Sequence, residues 1–145
     1  MENCCVTNHN NISESFVCPS CNNSGKQVGI ITLKSLLTPT ALEQLNPNNN
    51  YRFCSTSTCE VVYFDQVGQF FNTAQIKVSV FQKDSNENTS VCYCFNWTRQ
   101  RLTESGKTAI DSISSHVKAG RCGCEVNNPQ GSCCLGNVTQ FVRSK

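Results

Sequence analysis

The sequence predicts an α+β fold in two small modules, a β-dominated one followed by a helical one. Three observations carry this expectation. Twelve cysteines among 145 residues fall mostly into closely spaced pairs. The polar run Lys83-Asp84-Ser85-Asn86-Glu87-Asn88-Thr89-Ser90 has no aliphatic or aromatic side chain and divides the chain. Across it the apolar pattern changes from the alternation of strands to the three-to-four-residue spacing of helices. The expected organisation is an N-terminal extension at 1–15, a β module at 16–82, a linker at 83–90 and a helical module at 91–145.

In the first module, Val28 to Leu33 is rich in β-formers, and Tyr51 to Phe53 and Glu60 to Phe64 read as short strands. Gln75 to Val80 alternates Ile76, Val78 and Val80 in strand period. One short helix is expected from Pro39 to Leu45, with Thr38 as its cap, Pro39 in the first position and Asn46-Pro47 ending it. Beyond the linker, Thr98 caps a helix over Arg99 to Ser105. Thr108 with Asp111 forms a capping-box variant ahead of Ile110, Ile113 and Val117, and Gly120 stops that helix. A third helix starts near Cys134 and turns Val138, Phe141 and Val142 inward.

Only 38% of the residues are hydrophobic even with cysteine counted, which is low for a large core. Bound metal would supply the missing stabilisation. The cysteine pairs are Cys4-Cys5, Cys18 with Cys21, Cys54 with Cys59, Cys92 with Cys94, Cys122 with Cys124, and Cys133-Cys134. Two thiolates a few residues apart chelate one ion from one loop, whereas a disulfide framework favours partners distant in sequence. Met1 to Ser15 lacks a basic region followed by an apolar run, so no secretory leader is read there and a cytoplasmic location is expected. The competing class is a secreted disulfide scaffold. Asn-x-Ser/Thr triplets begin at Asn11, Asn22, Asn88, Asn96 and Asn137, as chance produces in a chain this rich in asparagine and serine.

Several function classes are excluded. No apolar stretch approaches the roughly 18 residues needed to span a bilayer, so no membrane insertion is expected. The formal net charge is +2 and no basic run exceeds Arg99-Gln100-Arg101, which offers no nucleic-acid surface. Two metal centres of four thiolates each would carry the holo protein to about −2. No phosphate loop, nucleophile elbow or paired-carboxylate pattern appears, and no catalytic residue is assigned.

Cys18-x2-Cys21 and Cys54-x4-Cys59, separated by 32 residues of β-type sequence, suit tetrahedral Zn²⁺ held by four thiolates in a closed structural shell. Cys18-Pro19-Ser20-Cys21 also resembles a redox dithiol, but no βαβ context surrounds it. The second set offers Cys92, Cys94, Cys122, Cys124, Cys133 and Cys134, six thiols for the four places of an iron-sulfur cluster. Cys94 precedes one expected helix and Cys134 another, so helix N-termini would face a dianionic cluster. Phe95 and Trp97 are expected to shield it from water. Gly123, Gly131 and Gly136 suit tight turns. His9 and His116 have no cysteine at ligand spacing on a common element, and no histidine site is proposed.

Phe53-Cys-Ser-Thr-Ser-Thr-Cys-Glu-Val-Val-Tyr-Phe64, Val91-Cys-Tyr-Cys94 and Cys124-Glu-Val-Asn-Asn-Pro-Gln-Gly-Ser-Cys-Cys134 together resemble the N-terminal domain of the CopZ-type copper chaperones, over nearly all of residues 16–143. The resemblance implies a zinc-binding β module joined to a helical [2Fe-2S] module of the bacterioferritin-associated-ferredoxin type. It places Cys18, Cys21, Cys54 and Cys59 on zinc. It places Cys92, Cys94, Cys124 and one of Cys133 or Cys134, with Cys134 favoured, on the cluster.

Two departures stand out. The family's small ferredoxin-like domain, with its Met-x-Cys-x-x-Cys copper site, has no counterpart in these residues. Cys4, Cys5 and Cys122 lie outside the shared motifs.

The expected function is that of an iron-sulfur metallochaperone which binds [2Fe-2S] and Zn²⁺ and handles copper, by reduction of Cu(II) to Cu(I) and transfer of Cu⁺. Its expected partners are copper or another soft ion, and a copper-transporting ATPase or a separate copper-chaperone domain. Cys4, Cys5, Cys122 and Cys133 are spare thiols for a soft ion or plain surface thiols. The alternative is a one-electron transfer protein without a copper role.

Overall fold

A computed structural model describes residues 16–145. Cys4, Cys5, His9, Asn11 and the expected N-terminal extension lie outside the described residues. The first module is built on a four-stranded antiparallel sheet in the order β1 (Lys26–Val28), β2 (Tyr51–Phe53), β3 (Val61–Asp65) and β4 (Phe70–Asn72). Between β1 and β2 run helices α1 (Ile30–Leu36) and α2 (Pro39–Leu42). Strand β3 is buried along its whole length. Tyr63 faces the main core with Leu33, Leu37, Tyr51 and Phe71, while Val61 and Phe64 face the cysteines.

Two expected strands are corrected. Val28 to Leu33 is not one strand, because β1 ends at Val28 and α1 begins at Ile30. Leu33, Leu36 and Leu37, three and four residues apart, bury together on a helical face, and this pattern prevails over the β-branched run Ile30-Ile31-Thr32. Gln75 to Val80 is not a strand either. Asn72 and Gln75 form a reciprocal capping box that opens a 3-10 turn over Thr73–Gln75. Ile76 then makes a single bridge to Leu37, and Lys77 N–H donates to Leu36 O at 2.7 Å. The end of α1 takes the place of a neighbouring strand.

Thr38 caps α2, accepting from Ala41 N–H at 3.4 Å, and α2 closes at Leu42 before two tight i→i+3 turns reach Leu45.

The second module opens with the hairpin of β5 (Ser90–Cys92) and β6 (Trp97–Thr98), which the sequence reading missed. Helix α3 (Arg99–Ser105) follows, capped as expected by Thr98, whose hydroxyl accepts from Arg101 N–H at 3.2 Å. Helix α4 (Lys107–Lys118) corrects a further expectation, since Thr108 lies inside it rather than at its cap. Gly106, at φ 58°, turns the chain from α3 directly into α4 and leaves no room for a capping box. A four-residue helix α5 (Cys124–Asn127), also missed, leads to α6 (Leu135–Arg143), with Cys134 as its N-cap residue. Val91, Leu102, Ala109, Ile113 and Val138 form this module's core together with Cys92, Cys124 and Cys134.

The modules are joined by specific polar contacts. Thr32 Oγ1 donates to Glu125 O at 2.7 Å, and buried Tyr63 donates its hydroxyl proton to Pro129 O. Gly131, at φ 73°, lies so close to α1 and β1 that an added Cβ would sit 3.1 Å from Thr32 Oγ1 and from a Val28 methyl.

The polar segment after Val80 is gripped rather than free. Arg99 stacks 4.4 Å over Phe81 and donates to Phe81 O at 2.8 Å, to Asn86 O at 3.0 Å and to Asp84 O. Tyr93 accepts Phe81 N–H at 2.9 Å and donates to Ser79 O.

Candidate metal centres

The sulfurs of Cys18, Cys21, Cys54 and Cys59 all lie within 4.8 Å of one another. Among the described residues this is the group of three or more metal-ligating side chains that meets so closely. Two backbone turns set the geometry. In the first, Asn22 N–H donates to Cys18 O at 2.9 Å and Cys18 N–H to Asn23 O at 2.8 Å, with Asn22 in the left-handed region at φ 65°. In the second, Cys54 N–H bonds Val62 O at 2.8 Å on β3, and the loop folds back so that Cys59 N–H reaches Thr56 O at 3.2 Å.

Sulfur pairs then stand 3.8 Å apart (Cys18 and Cys59) and 3.5 Å apart (Cys21 and Cys54). These are close to the edge of a tetrahedron around an ion with metal–sulfur bonds of about 2.3 Å. They are far longer than a disulfide bond of about 2.05 Å. All ten described cysteines are free thiols.

Three of these thiols are buried and Cys21 is half-buried. Burial pushes the Cys18 thiol up to about 12 and raises that of Cys54. A hydrogen bond with the Thr56 hydroxyl, 3.3 Å away, brings Cys21 down to about 6. Thr56 is itself fixed by Asn23 Nδ2 at 3.0 Å, so both turns meet at one hydroxyl. Lys83 stands over the same loop. Its Nζ donates to Thr56 O at 2.7 Å and Cys59 O at 2.9 Å, and lies 3.7 Å from Cys54 Sγ. Neither Thr56 nor Lys83 was singled out from sequence. A cation 24 residues beyond Cys59 carries no spacing signal.

The second set is strung out rather than compact. Cys92 sits at the end of β5, Cys94 in the hairpin turn, Cys124 at the start of α5 and Cys134 before α6. Cys92, Cys124 and Cys134 are buried in one cluster, and Cys134 acts more strongly than any other group on the thiols of both Cys92 and Cys124. Cys124 in turn lies 3.8 Å from Cys94. The neighbouring Cys134 thiol holds that of Cys124 at about 6 and that of Cys92 at about 7, while Cys134 itself is driven up by the same two neighbours. Burial raises Cys94 to about 11. Gly123 N–H donates to Cys94 Sγ at 3.0 Å, and Asn127 Nδ2 lies 3.6 Å from it.

Cys133 is exposed, with Leu135 N–H 3.5 Å from its sulfur, and Cys122 is half-buried. His116 joins neither group. It stacks on Phe95 at 4.7 Å and contacts Arg121 Nη1 through Nδ1 at 2.9 Å. Phe95 and Trp97 both pack against the second core, and Arg101 lies 3.9 Å over Trp97.

Comparisons with known proteins meet this geometry. Residues 15–77 match a family described as a zinc binding domain, of the CopZ type, and the four clustered cysteines lie inside the match. The chain is 29% identical over 119 residues to the copper chaperone CopZ of Archaeoglobus fulgidus, covering 81% of this chain and 57% of that protein. It thus spans little more than half the length of the curated relative. The X-ray structure of the N-terminal domain of A. fulgidus CopZ superposes with a TM-score of 0.71 at 28% identity, over 87% of this chain and 97% of that one. The described residues contain no helix long and apolar enough to cross a membrane.

Proposed function

We propose that the chain is a metallochaperone-type protein with two different metal centres, one structural and one redox-active, whose cargo is copper. The observation that carries this reading is the contrast between a compact group of four sulfurs and a second, more spread set of cysteines in a helical core, on a fold similar to that of a copper chaperone's N-terminal domain. The first centre takes Zn²⁺ at Cys18, Cys21, Cys54 and Cys59. Four thiolates close the shell, which suits an ion that holds two loops to a sheet edge and binds no substrate.

The second centre takes a [2Fe-2S] cluster at Cys92, Cys94, Cys124 and Cys134. Four sulfurs that do not share one small tetrahedron fit a two-iron core better than one ion. Burial in one cluster with Cys92 and Cys124 favours Cys134 over exposed Cys133 as the fourth ligand. When bound, such a cluster supplies one electron at a time, the change that separates Cu(II) from Cu(I).

The protein's own groups do the rest. Gly123 N–H and Asn127 donate to Cys94 and stabilise negative charge there, while the N-terminus of α6 presents its dipole at Cys134. Val91, Leu102 and Val138 keep water from the buried sulfurs. Cys122 and Cys133, outside the four, are the accessible thiols for a soft ion. Transfer of Cu⁺ to a copper-transporting ATPase or to a separate copper-chaperone domain, in the cytoplasm, completes the reading.

The test is metal analysis of anaerobically purified protein, with visible spectra before and after dithionite. About two irons and one zinc per chain, with bands that bleach on reduction, are expected. Colourless protein without iron would remove the redox half of the reading. A reduced protein that ignores Cu(II) would leave electron transfer without copper.

A further inference from the structure

We infer that Lys83 is a positioning residue of the four-cysteine centre: it clamps the Cys54–Cys59 loop and sets a fixed positive charge beside Cys54, and so slows release of the metal. This rests on the four-thiolate reading of that centre. A lysine ammonium has three N–H donors. Here all three have acceptors, namely Thr56 O at 2.7 Å, Cys59 O at 2.9 Å and Cys54 Sγ at 3.7 Å. Among the described residues no carboxylate forms an ion pair with it, the one such pair being Lys107 with Asp111. The cation is spent on the cysteine loop.

Four thiolates around a divalent ion leave a net charge of about −2 in a half-buried place, which a fixed cation offsets. The two carbonyl contacts act mechanically. They pin both the middle and the end of the loop that must open for Cys54 or Cys59 to leave the metal.

Lys83 is also held from behind. Its own N–H bonds Val80 O at 2.9 Å, and Arg99 of the second module grips Phe81 O and Asn86 O on either side of it. The ammonium is therefore delivered by a segment fixed at both ends.

The experiment uses the full chain loaded with zinc, with a chromophoric chelator in excess to read the release rate. Lys83→Met, which has neither donor nor charge, is expected to release zinc about 10–100-fold faster, the usual range for loss of a group supporting a metal ligand. Lys83→Gln, which keeps a donor for the carbonyls but no charge, is expected to fall between. Exposed Lys77→Met, nearby but without contact to a sulfur, is expected to match the wild type. Cobalt substitution gives a second reading, because loss of the cation beside Cys54 shifts the thiolate-to-cobalt absorption, which general loosening of the fold does not.

Wild-type release rates and unshifted cobalt spectra in both Lys83 variants would overturn this inference alone. A wild-type chain that takes up no zinc would overturn the four-thiolate reading and this inference with it. Equal acceleration by Lys77→Met would reduce the effect to general charge and overturn the positioning role.

Discussion

The first centre gathers its four sulfurs within 4.8 Å of one another at the edge of a sheet, whereas the second set spreads its four over β5, the hairpin turn and the starts of α5 and α6 around a helical core. In the first, backbone turns set the sulfur positions and apolar packing is slight, since Val61, Phe64 and Phe16 are the main neighbours. In the second, the cysteines are core residues, packed with Val91, Leu102, Ile113 and Val138. Identical side chains are thus placed by two kinds of force. Local hydrogen bonding makes a site of fixed size, and core packing makes one whose span follows the distances between elements.

Removing a sulfur from the compact centre is the most severe way to test that comparison. Cys18→Ser is expected to abolish the zinc equivalent and with it stabilisation on the order of 10 kcal/mol, enough to unfold the sheet module. Because residues 125–131 rest on that module through Thr32 and Tyr63, the visible bands of the second centre should weaken as well. Metal analysis and far-ultraviolet circular dichroism of the variant check both. Undiminished bands would mean that the centres stand independently.

Next in size is the adjacent pair in the extended centre. Cys134→Ala is expected to eliminate the visible charge-transfer bands, because it removes the thiol buried beside Cys92 and Cys124. Cys133→Ala, at an exposed position, should leave them intact. The reverse result would move the fourth ligand by one residue and place the centre nearer the surface.

The smallest effect concerns the seam between the modules. Gly131→Ala puts a Cβ at φ 73°, 3.1 Å from Thr32 Oγ1, and is expected to cost about 1–2 kcal/mol. Chemical denaturation of the metal-loaded protein would read it. The same substitution at Gly25, where a Cβ would meet the Phe64 ring at 2.8 Å and Phe53 O at 2.9 Å, tests the compact centre's own packing in the same way.

Much of this was legible in the sequence because it depends on local signals. Strands Tyr51–Phe53 and Val61–Asp65, the caps Thr38 and Thr98, and the helix opening after Cys134 each follow from residues within one turn of the feature. The grouping of Cys18, Cys21, Cys54 and Cys59 was readable from two short spacings. What escaped depends on contacts across the fold. The strand-like run Ile30-Ile31-Thr32 became helix because Leu33, Leu36 and Leu37 had one core to enter. Val78 lost its strand because the end of α1 occupies the place of a partner. The polar stretch from Lys83 to Ser90 looked inert, yet Lys83 reaches 24 residues back in sequence to Cys59 O and Arg99 reaches 18 back to Phe81 O. Hydrophilic composition says only that a segment is solvated, not what its charges grip.

The two sulfur sets do not interleave along the chain, and this bears on biosynthesis. Synthesis runs from the N-terminus, so Cys18, Cys21, Cys54 and Cys59 have all been added before Cys92. The first tetrad is complete in the chain before any residue of the second is added, and it is the first to emerge. On the two-centre proposal, order of synthesis would present eight chemically equivalent thiols as two successive sets, with no need for either ion to discriminate among them.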